Sequence, residues 1–89
     1  MHCVYILECN DGTLYTGYTT DVTRRIMEHN EGKGSKYTRS RLPVHCIYIE
    51  EYHDKSEALK RELQIKKLSR PQKLDIISTR KISFNKRPG

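Results

Sequence analysis

Five polar side chains in this 89-residue chain, Tyr5, Tyr15, Arg25, His29 and Glu62, are of the types that could together hydrolyse a phosphodiester. That reaction needs an activated water, positive charge against the nonbridging oxygens and help for the departing oxygen. Tyr5 and Tyr15 stand in two short triplets, Cys3-Val4-Tyr5 and Tyr15-Thr16-Gly17, on either side of an Asn10-Asp11-Gly12 turn signal. Arg25 would neutralise a phosphate oxygen, while Tyr5, Tyr15 and His29 would position and deprotonate water. An unperturbed tyrosine, with a pKa of about 10, is ionised only about one part in a thousand at neutral pH, so a tyrosinate base requires nearby positive charge. His29, with an ordinary pKa of about 6.5, has the better intrinsic match, and both candidates stand.

Glu62 carries the argument for a metal. It lies in a helical segment, residues 56–69, whose apolar positions are Ala58, Leu59, Leu63, Ile65 and Leu68. At about 100° per residue their mean direction falls within about 30° of Glu62, which puts a carboxylate on the buried stripe. An unpaired buried carboxylate costs several kcal/mol, so Glu62 should meet a cation, either a divalent metal or an arginine such as Arg25. With one inward carboxylate there are no bridging ligands for two ions, and a single hydrated Mg²⁺ or Mn²⁺ is expected.

These side chains must be held by a small domain, since a chain of this length buries only a little over ~60% of its unfolded surface. Residues 2–9 are apolar on both alternating faces, as in a central strand, and residues 13–18 are rich in Thr and Tyr, giving a hairpin. A two-residue loop would send Tyr5 and Tyr15 to opposite faces. A three-residue loop with Gly12 in the left-handed position pairs Leu7 with Tyr15 and puts both tyrosines on one face; that register is expected. Asp21 reads as the N-cap of a helix over 22–30, with Val22 and Ile26 inward and Arg25 and His29 flanking them. A third strand spans 44–52, with Ile47 and Ile49 on one face and Cys46 and Tyr48 on the other. Asp54 and Glu57 resemble a capping box for the long helix. Arg70-Pro71 starts a short last helix through Ile77, and residues 78–89 read as a basic, frayed tail or contact arm.

The formal charge is +6, from 17 Lys and Arg against 11 Asp and Glu, which favours a polyanionic partner. Residues 33–41 form a basic loop in which Lys33, Lys36, Arg39 and Arg41 could contact phosphates and Tyr37 could stack on a base. Three cysteines, Cys3, Cys9 and Cys46, make an odd count with no C-x-x-C pair, so they are expected to be reduced and buried. Zinc is disfavoured because His2 and Cys3, like His45 and Cys46, are strand neighbours that point to opposite faces. No apolar run approaches the ~18 residues of a membrane span, and no signal peptide is evident; a soluble, cytoplasmic protein is expected.

The order β-β-α-β-α-α with these residues resembles the GIY-YIG nuclease superfamily, in its small stand-alone branch. The resemblance covers roughly residues 2–77. Cys3-Val4-Tyr5 matches the first triplet with its Gly replaced, and Tyr15-Thr16-Gly17 the second with Thr for Ile. Arg25 falls at the family's catalytic arginine, His29 at a position where members carry His or Tyr, and Glu62 at the metal-binding glutamate. The stretch 34–39 followed by Pro43, and the later Lys66-Lys67-Leu68-Ser69, look characteristic of the small branch, and Lys66 joins the basic loop as a candidate DNA contact. The sequence departs by lacking a matched asparagine after the metal-site helix and by having Tyr18 where some repair members carry lysine. The resemblance implies an α+β fold with a three-stranded antiparallel sheet flanked by helices, a domain over 1–78 with a tail over 79–89, and a tyrosine base. It implies single-metal endonuclease activity on DNA, including structured or repair intermediates. A non-catalytic nucleic-acid-binding module, or a basic surface for an acidic protein, are the other classes considered.

Overall fold

The computed structural model describes residues 1–85, with side chains through Thr79. β1 (His2–Glu8) and β2 (Leu14–Thr19) are followed by α1 (Val22–Asn30), the short α2 (Lys36–Arg39), β3 (His45–Tyr52), α3 (Lys55–Lys66) and α4 (Arg70–Asn85). The strands form one antiparallel sheet in the order β2-β1-β3, so the doubly apolar first strand is central. The hairpin adopts the expected register: Leu7 faces Tyr15 and Tyr5 faces Gly17. Gly12 supplies the left-handed residue, with φ +83, while its N–H donates to Cys9 O at 2.9 Å.

Alternation along β1 divides the core in two. Val4 and Ile6 pack with Tyr48, Ala58 and Ile65 on the side covered by α3 and by Ile76 and Ile77 of α4. Tyr5 and Leu7 pack with Cys9, Val44 and Ile26 on the side covered by α1. α1 begins where its cap predicts, with the Asp21 carboxylate accepting from Arg24 N.

Four expectations are corrected. The strand faces of β3 change because the register shifts between Ile6 and Leu7, leaving Ile47 as the extra residue; Cys46 and Ile49 therefore share the α1 face, and Ile47 joins Tyr48 on the other. Leu59 and Leu63 are 37% and 58% exposed, because α3 rests on a narrower stripe of Ala58 and Ile65 with Arg61 and Glu62 half-buried between them. Residues 36–39 are helical within the basic loop, since Ser35 caps them by accepting from Thr38 N. Finally, the last helix continues past Ile77 to Asn85, so the tail expected from residue 78 is helical there; Lys86-Arg87-Pro88-Gly89 lies outside the described residues.

Candidate active site

The hairpin register and α1 bring Tyr5, Tyr15 and His29 together on one face of the sheet. Gly17, opposite Tyr5, is what admits the phenol: a Cβ there would collide with Tyr5 Cζ and Oη. The last residue of the second triplet thus leaves room for the last residue of the first. Gly34 does the same for His29, because a Cβ at 34 would run into the imidazole.

His29, not Val22 or Ile26, is the most deeply buried residue of α1, at 0% exposure. Its Nε2 lies 2.9 Å from Tyr5 Oη and its Nδ1 lies 2.8 Å from Thr38 Oγ1. Thr38 Oγ1 can donate to Ser35 O at 3.4 Å, leaving its lone pair for the His29 Nδ1–H. In the tautomer with a bare Nε2, that atom accepts the Tyr5 hydroxyl proton while Nδ1–H donates to Thr38; a Ser35 hydroxyl donating to Thr38 Oγ1 at 3.0 Å supports the other tautomer. Burial pushes His29 below its ordinary value, and the charge of Arg25 pushes it further, so the imidazole is neutral. Burial likewise raises Tyr5 to about 12, against the pull of Arg25. With its pKa raised this far, Tyr5 rests as a neutral phenol at neutral pH, hydrogen-bonded to His29.

An aromatic file leads outward from this pair. The Tyr15 ring lies 5.3 Å from His29 and stacks on Tyr37 at 5.9 Å, and Arg41 Cζ sits 3.9 Å from the Tyr37 ring centre. The Tyr15 hydroxyl has no hydrogen-bond partner among the described residues, so it is available to water or substrate. Arg25 is held at two points, with Nη1 donating to Glu28 Oε1 at 3.1 Å and Nη2 to Gly34 O at 2.9 Å. Its guanidinium stands beside the Tyr5 phenol.

Glu62 approaches from α3, on the opposite side of the sheet, and its charge reaches Tyr5 around the β2 edge. Its side chain is 16% exposed, and Oε2 pairs with Lys66 Nζ at 3.4 Å. The direct Arg25–Glu62 pair considered from the sequence is replaced by Arg25–Glu28 and Glu62–Lys66. No group of three or more His, Cys, Asp or Glu side chains suited to a metal occurs among the described residues. A metal on Glu62 would take most of its ligands from water and phosphate, which suits Mg²⁺ and its reluctance to dehydrate.

The remaining candidates are spread around this edge. Lys36 and Arg39 are exposed on α2, and Lys33 sits 3.9 Å from Glu31. Arg41 is committed to the fold, donating to Asp11 Oδ2 at 3.0 Å and to Tyr37 O at 2.7 Å, and so tying the basic loop to the hairpin turn. Sequence reasoning did not single out Thr38, whose hydroxyl orients His29; the spacing of Ser35 and Thr38, a cap and its third helical residue, was the available signal. It also passed over Glu50 and Lys73, which come into play only through the packing of α3 and α4.

The fold is that of a small α+β catalytic domain whose family the comparisons name. The GIY-YIG catalytic domain model matches residues 1–75, and the chain belongs to that family. Narrower relatives are UPF0213 proteins. The chain is 62% identical to one from Halobacterium salinarum over 73 residues, covering 82% of this chain and 95% of the relative. It is 59% identical to one from Staphylococcus epidermidis over 76 residues, covering 85% and 93%. Solution NMR structures of a UPF0213 protein from Bacillus halodurans and of a protein from E. faecalis align with TM-scores of 0.59 and 0.64, at 51% and 46% identity. The first alignment covers 88% of this chain and 83% of its counterpart, the second 91% and 86%. The domain is typical of endonucleases, which act on nucleic acid and generally use a divalent metal. No helix among the described residues is long and apolar enough to cross a membrane.

Proposed function

We propose that the protein is a metal-dependent endonuclease that hydrolyses phosphodiester bonds in DNA, including structured or repair intermediates. The observation that carries this reading is the Thr38–His29–Tyr5 hydrogen-bonded series ending beside Arg25. Water hydrogen-bonded to Tyr5 Oη gives up a proton to that oxygen while the phenol proton passes to His29 Nε2. Thr38 holds the opposite nitrogen in its donor form throughout. His29, at 0% exposure, and Tyr5, at 1%, form one hydrogen-bonded buried pair, so this reading takes the two candidate bases together, with His29 acting through Tyr5. A phosphate against Arg25 would offset one of the charges that depress His29, making the imidazole more basic once substrate is in place. Arg25 also neutralises a nonbridging oxygen, and Tyr15 offers its free hydroxyl to the water. Glu62 would hold Mg²⁺ or Mn²⁺, which supplies Lewis-acid charge at the phosphate and leaving oxygen.

Nicking of supercoiled and branched DNA in Mg²⁺ or Mn²⁺ tests the reading. Glu62→Gln and Tyr5→Phe should each lose on the order of 10²–10³ in rate, comparable to removal of a transition-state contact. Equal cleavage by both variants and by the unsubstituted protein would mark a contaminant and end the proposal. The Lys66–Glu62 ion pair favours one second reading, a nucleic-acid-binding module in which that carboxylate is structural. It predicts salt-sensitive DNA binding with no metal-dependent nicking.

A further inference from the structure

Beside the β2 edge lies a cavity of about 360 Å³ lined by Leu14, Tyr15, Thr16, Tyr37, Lys66 and Lys73. Its volume falls within the roughly 300–1,000 Å³ range of clefts that take small ligands or single residues of a polymer. Two features distinguish it from ordinary solvated surface. Two lysines from different helices, α3 and α4, line the same concavity, and Lys73 has no anionic partner among the described residues. On the other wall, Tyr15 and Tyr37 are stacked with centroids 5.9 Å apart and rings inclined by 25°, and Tyr37, although Arg41 also lies over its ring at 3.9 Å, stays 38% exposed. Like charges gathered in a recess repel, and an anion placed between them relieves the repulsion. Burial and the charge of Lys66 both push Lys73 below its ordinary value.

We infer that this cavity is a subsite for one unpaired nucleotide of the substrate strand, with the base against Tyr37 and a flanking phosphate between Lys66 and Lys73. The inference rests on the nucleic-acid reading above and specifies it. Lys66 touches both the Glu62 carboxylate and the cavity, so the bound nucleotide neighbours the phosphate to be cut. A stacked base on an aromatic face tolerates any sequence but requires the base to be out of a duplex. The substrate class is therefore DNA with a single-stranded nucleotide next to the scissile bond, such as a flap, gap or branch.

The test uses the full chain without metal, in EDTA, so that binding is read apart from cleavage. A 5′-phosphorylated hexathymidylate is titrated while the Tyr37 ring and Lys73 ε-methylene signals are followed by NMR. Both sets should shift together, and a duplex of equal length should leave Tyr37 unmoved. Lys73→Gln should weaken hexathymidylate binding about fivefold and reduce the salt slope by about 0.7, one single-strand phosphate contact, and Lys73→Arg should restore both. Tyr37→Ala should weaken binding about tenfold. Unchanged affinity and slope in Lys73→Gln would overturn the subsite even if nicking persists. So would equal affinity for inorganic phosphate with no response from Tyr37. Coupled shifts in a protein that never nicks DNA would keep the subsite and discard the nuclease reading.

Discussion

Two polar clusters, each with glutamate, arginine and tyrosine, form on opposite faces of the same sheet, and they differ in how completely they are closed. On the α3 face, Glu50 accepts from Arg61 Nε at 2.9 Å and Nη2 at 3.1 Å, from Tyr52 Oη at 2.6 Å, and from Tyr48 Oη. Burial pushes its carboxyl up, but these donors more than reverse the effect and leave it below the ordinary range. On the α1 face, Arg25 is anchored at two points and the Tyr15 hydroxyl has no partner among the described residues, while Glu62, which approaches from α3, has only Lys66. The first cluster has nothing left to offer a ligand. The second keeps donors and acceptors free at a solvent-accessible edge, and that incompleteness separates a site from a structural network more sharply than the presence of charged residues does.

The largest effect that could break this contrast is on stability. Breaking a buried ion pair from one side typically costs 3–5 kcal/mol, because the surviving charge is left without compensation. Glu50→Ala should therefore lower unfolding free energy on the order of 3 kcal/mol by urea titration, stranding Arg61 and two phenols. Glu62→Gln should change it by less than about 1 kcal/mol, in keeping with a partly exposed pair. A Glu62 variant as destabilised as the Glu50 variant would make both clusters structural.

How far each cluster could be read in advance follows from what sets its geometry. The open one was legible because its parts depend on local rules: a left-handed Gly12 fixes the hairpin register, Asp21 fixes the start of α1, and helical spacing places Glu62 on the inner side of α3. The closed one was not. Glu50 meets Arg61 only because β3 lies beside β1 with a bulge at Ile47 and α3 packs through Ala58 and Ile65, and neither fact follows from local periodicity. Leu59 and Leu63 misled for the same reason, since a helical wheel weighs every leucine equally while the small Ala58 decides how closely α3 approaches. Lys73 could not be singled out without knowing where α4 lies.

Acid titration should separate the clusters by window. His29 is buried neutral with its pKa depressed, so the folded state binds fewer protons than the unfolded state below the ordinary value of 6.5. Its contribution is complete above that pH and is lost as pH falls, with a slope of up to about 1.4 kcal/mol per pH unit until the folded value is reached. Glu50, also depressed, holds its contribution above the ordinary carboxylate value of 4.5 and loses it only as pH falls toward its own folded value. Unfolding free energies measured from pH 7.5 to 3 should fall in two stages, and His29→Asn should remove the upper stage alone. A single stage near pH 4 would mean that His29 is not held neutral by its surroundings.

The smallest expected effect concerns a flaw on the closed face. Thr16 points to the α3 side, is 2% exposed, and its Oγ1 has no hydrogen-bond partner among the described residues. A buried hydroxyl without a partner forfeits its hydration, at a cost of about 1–3 kcal/mol. Thr16→Val keeps the branched shape that suits β2 and removes the oxygen, so it should raise stability by about 1 kcal/mol and Tm by roughly 4–8 °C. The kcat of DNA nicking should be unaltered, because Tyr15 and Gly17, its neighbours in the triplet, face the other side, whereas KM can change because Thr16 also lines the cavity beside β2. If stability instead falls, the hydroxyl has a water partner and the α3 face is closed without exception. If stability rises while nicking is lost, the middle residue of the triplet belongs to the open cluster, and the division of labour between the two faces fails at β2.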